Sequence, residues 1–245
     1  MDINFLLEKI SLLSLFIITA TGVFLSIMIG FGLGIYIQRR GKSKKEVKLG
    51  SIIGAMLGLL AFILAFTFGA ATSRFEAKKQ LLLEEVNAIG TTVLRTDFLP
   101  ESKRAEAKDL LKKYVDMRVD VLKNPKMLPQ LIIESEKIQS QLWSQVSLDI
   151  NKETDPIRLG LYIQSLNEVI DLHTKRVTVG LQYRIPGVIW VTLYFVTILT
   201  MIAVGYEFGL SGVSNILISL ILALAFSAFM VLIADLDRGV TGTLQ

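Results

Sequence analysis

The chain's single histidine, His173, lies near Glu168 and Asp171, and Glu84 or Glu85 could add a further carboxylate to a metal site. Metal chemistry on a helix needs side chains at i,i+3 or i,i+4 spacing, as in Glu-x-x-His pairs. Asp171 and His173 are two apart and face different ways, so the spacing predicts a histidine at a helix interface. The chain has no cysteine, which removes thiolate metal sites, disulfides and a cysteine nucleophile together. It also carries no Gly-rich phosphate loop, no paired-His motif and no nucleophile elbow. No catalytic residue, metal site or cofactor is expected, and no enzymatic activity.

Three other groups could act on ions. Phe62 and Phe66 lie one helical turn apart with Thr67 beside them. Rings at that spacing form an apolar constriction that gates by dewetting if the helix lines a pore; otherwise they pack between helices or face lipid. Glu84 and Glu85 with Asn87 would form an ion-attracting ring if several copies met there, or else a solvated or salt-bridged face with Arg95, Lys175 or Arg176 as partners. Arg74, Arg184, Asp235, Asp237 and Arg238 all flank apolar segments, where opposite charges commonly pair. They are candidates for a charged mouth or for an interfacial ion-pair cluster.

The elements that position these residues follow from where the charge falls. Residues 10–38 and 49–73 carry no charge, and 185–234 carry only Glu207, whereas 74–184 hold 34 of the 48 charged residues. So uneven a split excludes a single soluble globule and a disordered chain. A spanning helix needs about 20 mostly apolar residues. Four segments meet that length: 12–37, 49–72, 187–206 and 213–234. The first exceeds the ~7–15 residues of a signal-peptide core, and its basic residues follow the apolar run, so it reads as a retained helix.

The predicted fold is an all-α integral membrane protein with a helical domain inserted between the second and third of four transmembrane helices. The predicted domains are an N-terminal hairpin over 1–72, an extramembrane helical domain over 73–186, and a C-terminal hairpin with a short tail over 187–245. Within the domain, the apolar residues of 101–123, 131–146 and 157–177 keep a helical period. Pro100, Asn124-Pro125 and Asp155-Pro156 mark the breaks. The first and last of the domain's four helices are expected to extend from membrane helices.

Small residues recur at four-residue spacing as Gly22, Ser26, Gly30 and Gly34, then Gly50, Gly54 and Gly58, then Ser219, Ala223 and Ser227. Such stripes let backbones approach closely in lipid, within one copy or between copies. The loop 38–48 holds Arg39, Arg40, Lys42, Lys44, Lys45 and Lys48. By the positive-inside rule that loop is cytoplasmic and the helical domain extracytoplasmic. The domain itself has 18 basic and 16 acidic residues, which gives no reason to expect nucleic acid.

Several runs resemble a bacterial bestrophin-like membrane-protein family: 60–68 (Leu-Ala-Phe-Ile-Leu-Ala-Phe-Thr-Phe), 73–76 (Ser-Arg-Phe-Glu) and 84–91 (Glu-Glu-Val-Asn-Ala-Ile-Gly-Thr). Arg184-Ile185-Pro186 and Asp235-Leu236-Asp237-Arg238 carry the same likeness. By distant analogy, bestrophins are pentameric anion channels whose second membrane helix lines an apolar neck. The resemblance therefore implies a multi-pass protein of the cell inner (plasma) membrane, with Phe62 and Phe66 placed like neck residues. The expected function is a homo-oligomeric ion channel embedded in the lipid bilayer, pentameric by analogy and conducting an inorganic ion of unknown type. The alternative is a non-conducting membrane sensor, assembly factor or scaffold acting through its helical domain.

Overall fold

The computed structural model describes residues 10–40, 49–124, 127–147, 155–212 and 216–238. Among these, seven α-helices follow in chain order with no strand: α1 Leu12–Arg39, α2 Leu49–Arg95, α3 Glu101–Lys123, α4 Leu128–Ser147, α5 Pro156–Val177, α6 Gly187–Ser211 and α7 Ile216–Asp237. Four of them (α1, α2, α6 and α7) are long and apolar enough to cross a membrane. Most of the basic loop, Pro125 and the expected start of the fourth span at Val213 lie outside the described residues.

The chain divides into two compact units, one of residues 1–74 with 184–238 and one of residues 75–183. In the first unit α1 packs against α6 and α7. The buried positions of α1 (Leu15, Thr19, Val23, Ser26, Ile27, Gly30 and Gly34) recur every three or four residues, which puts them on one helix face. Lipid offers no hydrophobic drive between helices, so this contact depends on close van der Waals approach. A Cβ added to Gly34 would fall 2.8 Å from the Gly209 Cα, and one added to Gly209 would fall 2.8 Å from the Gly34 Cα. Gly30 and Gly205 meet the facing backbones at Ile202 and Ile27 in the same way. Four glycines thus let α1 and α6 touch backbone to backbone.

Polar pairs fix the register of that crossing. Thr19 Oγ1 and Tyr194 Oη lie 3.1 Å apart, and Gln38 Nε2 donates to the Leu210 carbonyl at 3.1 Å. Helix α6 ends at Gly212, whose φ of 67° is the left-handed conformation that a glycine adopts without Cβ strain. Buried hydroxyls inside the bundle bond to their own helix, as Ser26 does to Gly22 O and Ser227 to Ala223 O. Such back-bonding satisfies a hydroxyl where no water is present. Helix α7 turns its small stripe (Ser219, Ala223 and Ser227) inward, and the Phe68–Phe229 ring pair at 5.5 Å joins it to α2.

The second unit has an apolar core of its own. Leu111, Tyr114, Leu142, Tyr162 and Leu166 lie at the centre of an apolar core drawn from α2, α3, α4 and α5. Each large side chain fully buried from water contributes roughly 1.5–3 kcal/mol. Helix α5 starts where the sequence marks it: Asp155 caps by accepting from Ile157 N at 3.0 Å, and Pro156 takes the first turn. Two boundaries differ from the sequence reading. Helix α2 ends at Arg95 and a 3-10 turn at 96–98 precedes Pro100. Helix α5 is not continuous with α6, because a π-helical turn at 178–182 and the stretch before Pro186 separate them. Proline has no backbone N–H to donate and favours a helix start.

Candidate functional site

Helix α2 brings Glu85 into the core of the second unit, where its side chain is 1% exposed. A lone buried carboxylate would take up a proton, since low dielectric disfavours charge. Here α3 supplies Arg118, whose Nη2 donates to Glu85 Oε1 at 2.8 Å, and Tyr114, whose hydroxyl donates to the same oxygen at 2.6 Å. Helix α5 supplies Arg176, whose Nη1 donates to Oε2. Burial pulls the Glu85 pKa upward, but the two guanidiniums and the tyrosine outweigh it and hold the group below the ordinary carboxylate value. Tyr114 is pushed up, chiefly by its burial. The carboxylate stays ionised and the phenol stays protonated, so neither exchanges a proton near neutrality.

His173 closes the cluster. Its Nδ1 accepts from Arg118 Nη2 and lies 3.3 Å from Tyr114 Oη. A guanidinium can only donate, so Nδ1 carries no proton and the ring hydrogen sits on Nε2. That Nε2 is buried and has no partner among the described residues. Burial first, then Arg118, pushes the His173 pKa down to about 4, while Glu85 pulls the other way. The ring is therefore neutral at pH 7. Five side chains from three helices form an ionic junction in which two buried N–H groups, His173 Nε2 and Arg118 Nε, meet no acceptor among the described residues.

The other sequence candidates separate. Glu168 and Asp171 are exposed on the far side of α5 from His173. Among the described residues no group of three His, Asp or Glu could hold a metal. Glu84 is exposed and bonds to Gln80 at 3.0 Å, a turn away on its own helix. Asn87 is exposed as well.

In the first unit, Asp237 at the end of α7 accepts from Arg74 Nη1 at 3.2 Å and from the backbone N–H of Ile185 at 2.9 Å. Arg238 Nη2 donates to the Ile10 carbonyl at 2.6 Å. Asp235 is buried and Arg184 half-buried, and both are engaged. These charges tie helix ends together. Phe62 and Phe66, at 70% and 66% exposed, share an open face of α2 with Gly54 and Gly58, where an added Cβ would meet no other described part of the protomer within 4 Å. Thr67 turns inward instead: it is buried, and its hydroxyl donates to Ile63 O at 2.7 Å. Gly22 meets nothing, and Gly50 meets only the Glu207 carboxylate at 3.4 Å.

A family model described as Bestrophin-like domain matches residues 22–245. The chain belongs to the bestrophin-like family. No curated protein and no solved structure matches it. The match takes in all of the first unit from Gly22 onward and the whole second unit, so the Glu85 junction and the open α2 face are both parts of the bestrophin-like region. Sequence reasoning missed Arg118 and the pair Gly205/Gly209. Arg118 follows Tyr114 by one turn on a buried face, and the glycines repeat the four-residue spacing seen in α1; both signals are in the sequence.

Proposed function

We propose that this bestrophin-like chain assembles into a homo-oligomeric ion channel of the cell inner (plasma) membrane, with α2 toward the central axis. The observation that carries the reading is the open face of α2, which sets exposed Phe62 and Phe66 beside uncovered Gly54 and Gly58. A lumen inside one copy is disfavoured at α1–α6, where the backbones touch. An ion path would run between copies, five of them by the bestrophin analogy, and would carry a small inorganic ion. The reading assigns no catalytic step and no nucleic-acid partner.

Apolar rings facing a pore exclude water and ions even where the bore is wide enough. Replacing Phe62 and Phe66 together with Ala should raise ion flux into liposomes severalfold while oligomer size stays the same. Both rings are exposed in the protomer, so its melting should hardly move. Unchanged flux with a less stable oligomer would mean that the rings seal a seam between copies. Silence of the unaltered protein across chloride, potassium and sodium gradients would remove the channel reading altogether.

The basic loop predicts its own side of the membrane. A cysteine placed at Ser43, outside the described residues, should resist an impermeant thiol reagent in intact cells, and one at Ser102 should react. The reverse labelling pattern would put the helical unit in the cytoplasm.

A second reading, a non-conducting sensor, assembly factor or scaffold, draws on the second unit. Leu83, Val86, Leu94, Ile133 and Ile157 are exposed there, and unlike the membrane helices this unit has water to hide from. A stoichiometric partner co-purifying from native membranes would favour it, and recovery of the homo-oligomer alone would count against it.

A further inference from the structure

We propose that the Glu85–Arg118–His173 junction is an acid-operated release, in which a proton taken up at His173 Nδ1 expels the Arg118 guanidinium and unfastens α5 from α3. A proton at Nδ1 would have one acceptor to turn to, Tyr114 Oη at 3.3 Å, and none in Arg118. Nδ1 is the only nitrogen free to take a proton, and it is occupied by a hydrogen-bond donor. After protonation two donors would face each other, and the Arg118 contact must break. The proton comes from solvent, which reaches the site along Arg118 and Arg176, whose side chains are 18% and 28% exposed.

The charges around the ring decide which way it responds. From α2 the ring faces Glu85; from α3 it faces Arg118 and the neutral Tyr114; on its own helix it has Arg176. Two cations against one anion leave a positive surrounding, so an imidazolium would be the third cation around a single carboxylate. Burial, Arg118 and Arg176 together lower the His173 pKa from 6.5 to about 4. Because the folded value lies below the unfolded one, the closed junction binds fewer protons than the open one between those limits. Its stability is fully present above pH 6.5, falls as pH drops, and levels off below about 4.

The release does not depend on whether the protein conducts, and its test needs no flux. The chain has one histidine, so histidine-labelled protein in nanodiscs gives a single ring signal that titrates on its own. The ring should remain a neutral Nε2–H tautomer through pH 6 and half-titrate near pH 4. Amide protection in α3 and α5, corrected for intrinsic exchange, should fall about tenfold per pH unit across that interval. A ring that titrates near its ordinary value, or that titrates near 4 without loss of protection, would overturn the proposal.

His173→Gln offers a second arm, since its amide oxygen accepts from Arg118 but takes no proton. That variant should keep its protection at least one pH unit further into acid. Acid loss at the same pH as in the unaltered protein would sink the idea. If the variant does not fold, the titration of the unaltered protein still decides.

Discussion

Gly205→Leu, or Gly34→Leu, is expected to leave no folded protomer in detergent. Filling a packed site normally costs about 1–3 kcal/mol because side chains shift to absorb the strain. Nothing at this crossing can shift. The atoms that a Gly34 side chain would meet are the Tyr206 carbonyl, the Gly209 Cα and the Leu210 N, all of them backbone. Helices α1 and α6 would have to part by roughly 1 Å or more to restore ordinary carbon contacts, which would also pull apart the Thr19–Tyr194 and Gln38–Leu210 bonds. Gly54→Leu with Gly58→Leu should behave in the opposite way. Both positions are open in the protomer, so melting should be unchanged and only assembly into larger particles should suffer. Gel filtration beside thermal melting separates the two. Normal melting of Gly205→Leu would show that the helices do not touch there in the membrane.

Glu85→Gln should lower the stability of the helical unit by about 3 kcal/mol. Removing one partner of a buried ion pair typically costs 3–5 kcal/mol, because the remaining charge is left uncompensated. Glu85 is fully buried, while Arg118 and Arg176 keep some contact with water, so the lower end of that range applies. Gln keeps the size and one acceptor oxygen but loses the charge that two guanidiniums and a hydroxyl converge on. Arg176→Gln should cost less, since Glu85 would retain Arg118 and Tyr114. Chemical denaturation followed by circular dichroism at pH 7 would measure both. A loss below about 1 kcal/mol for Glu85→Gln would class the pair with exposed salt bridges, which contribute little.

The four apolar helices were legible because lipid imposes one rule, a long run without charge, and residues 49–73 or 216–234 obey it in plain sight. The α5 start was legible too, since Asp155-Pro156 can act locally as cap and first turn. The Glu85 junction was not. Glu85 stands out beside Glu84, but which of the two turns inward depends on the phase of α2 against α3 and α5. Arg118 is one of many charged residues on a charge-rich helix, and only tertiary packing selects it. The stripes were visible, yet spacing alone did not say which of them has a partner. Gly30 and Gly34 face Gly205 and Gly209, whereas Gly54 and Gly58, equally regular, face no other described part of their own protomer.

The α1–α6 crossing also sets an order of events during synthesis. Its two faces lie far apart along the chain, with Thr19 meeting a tyrosine 175 residues later. At roughly 5–20 residues per second, ribosomes take about 10–35 s to make that distance. For that interval the first helix sits in lipid with its glycine groove uncovered and no cognate surface yet made. The polar unit, whose core contacts all fall within residues 75–183, is complete in sequence before α6 emerges. Biogenesis of this region therefore runs from the middle outward, and α1, made long before α6, finds its place only after α6 is made.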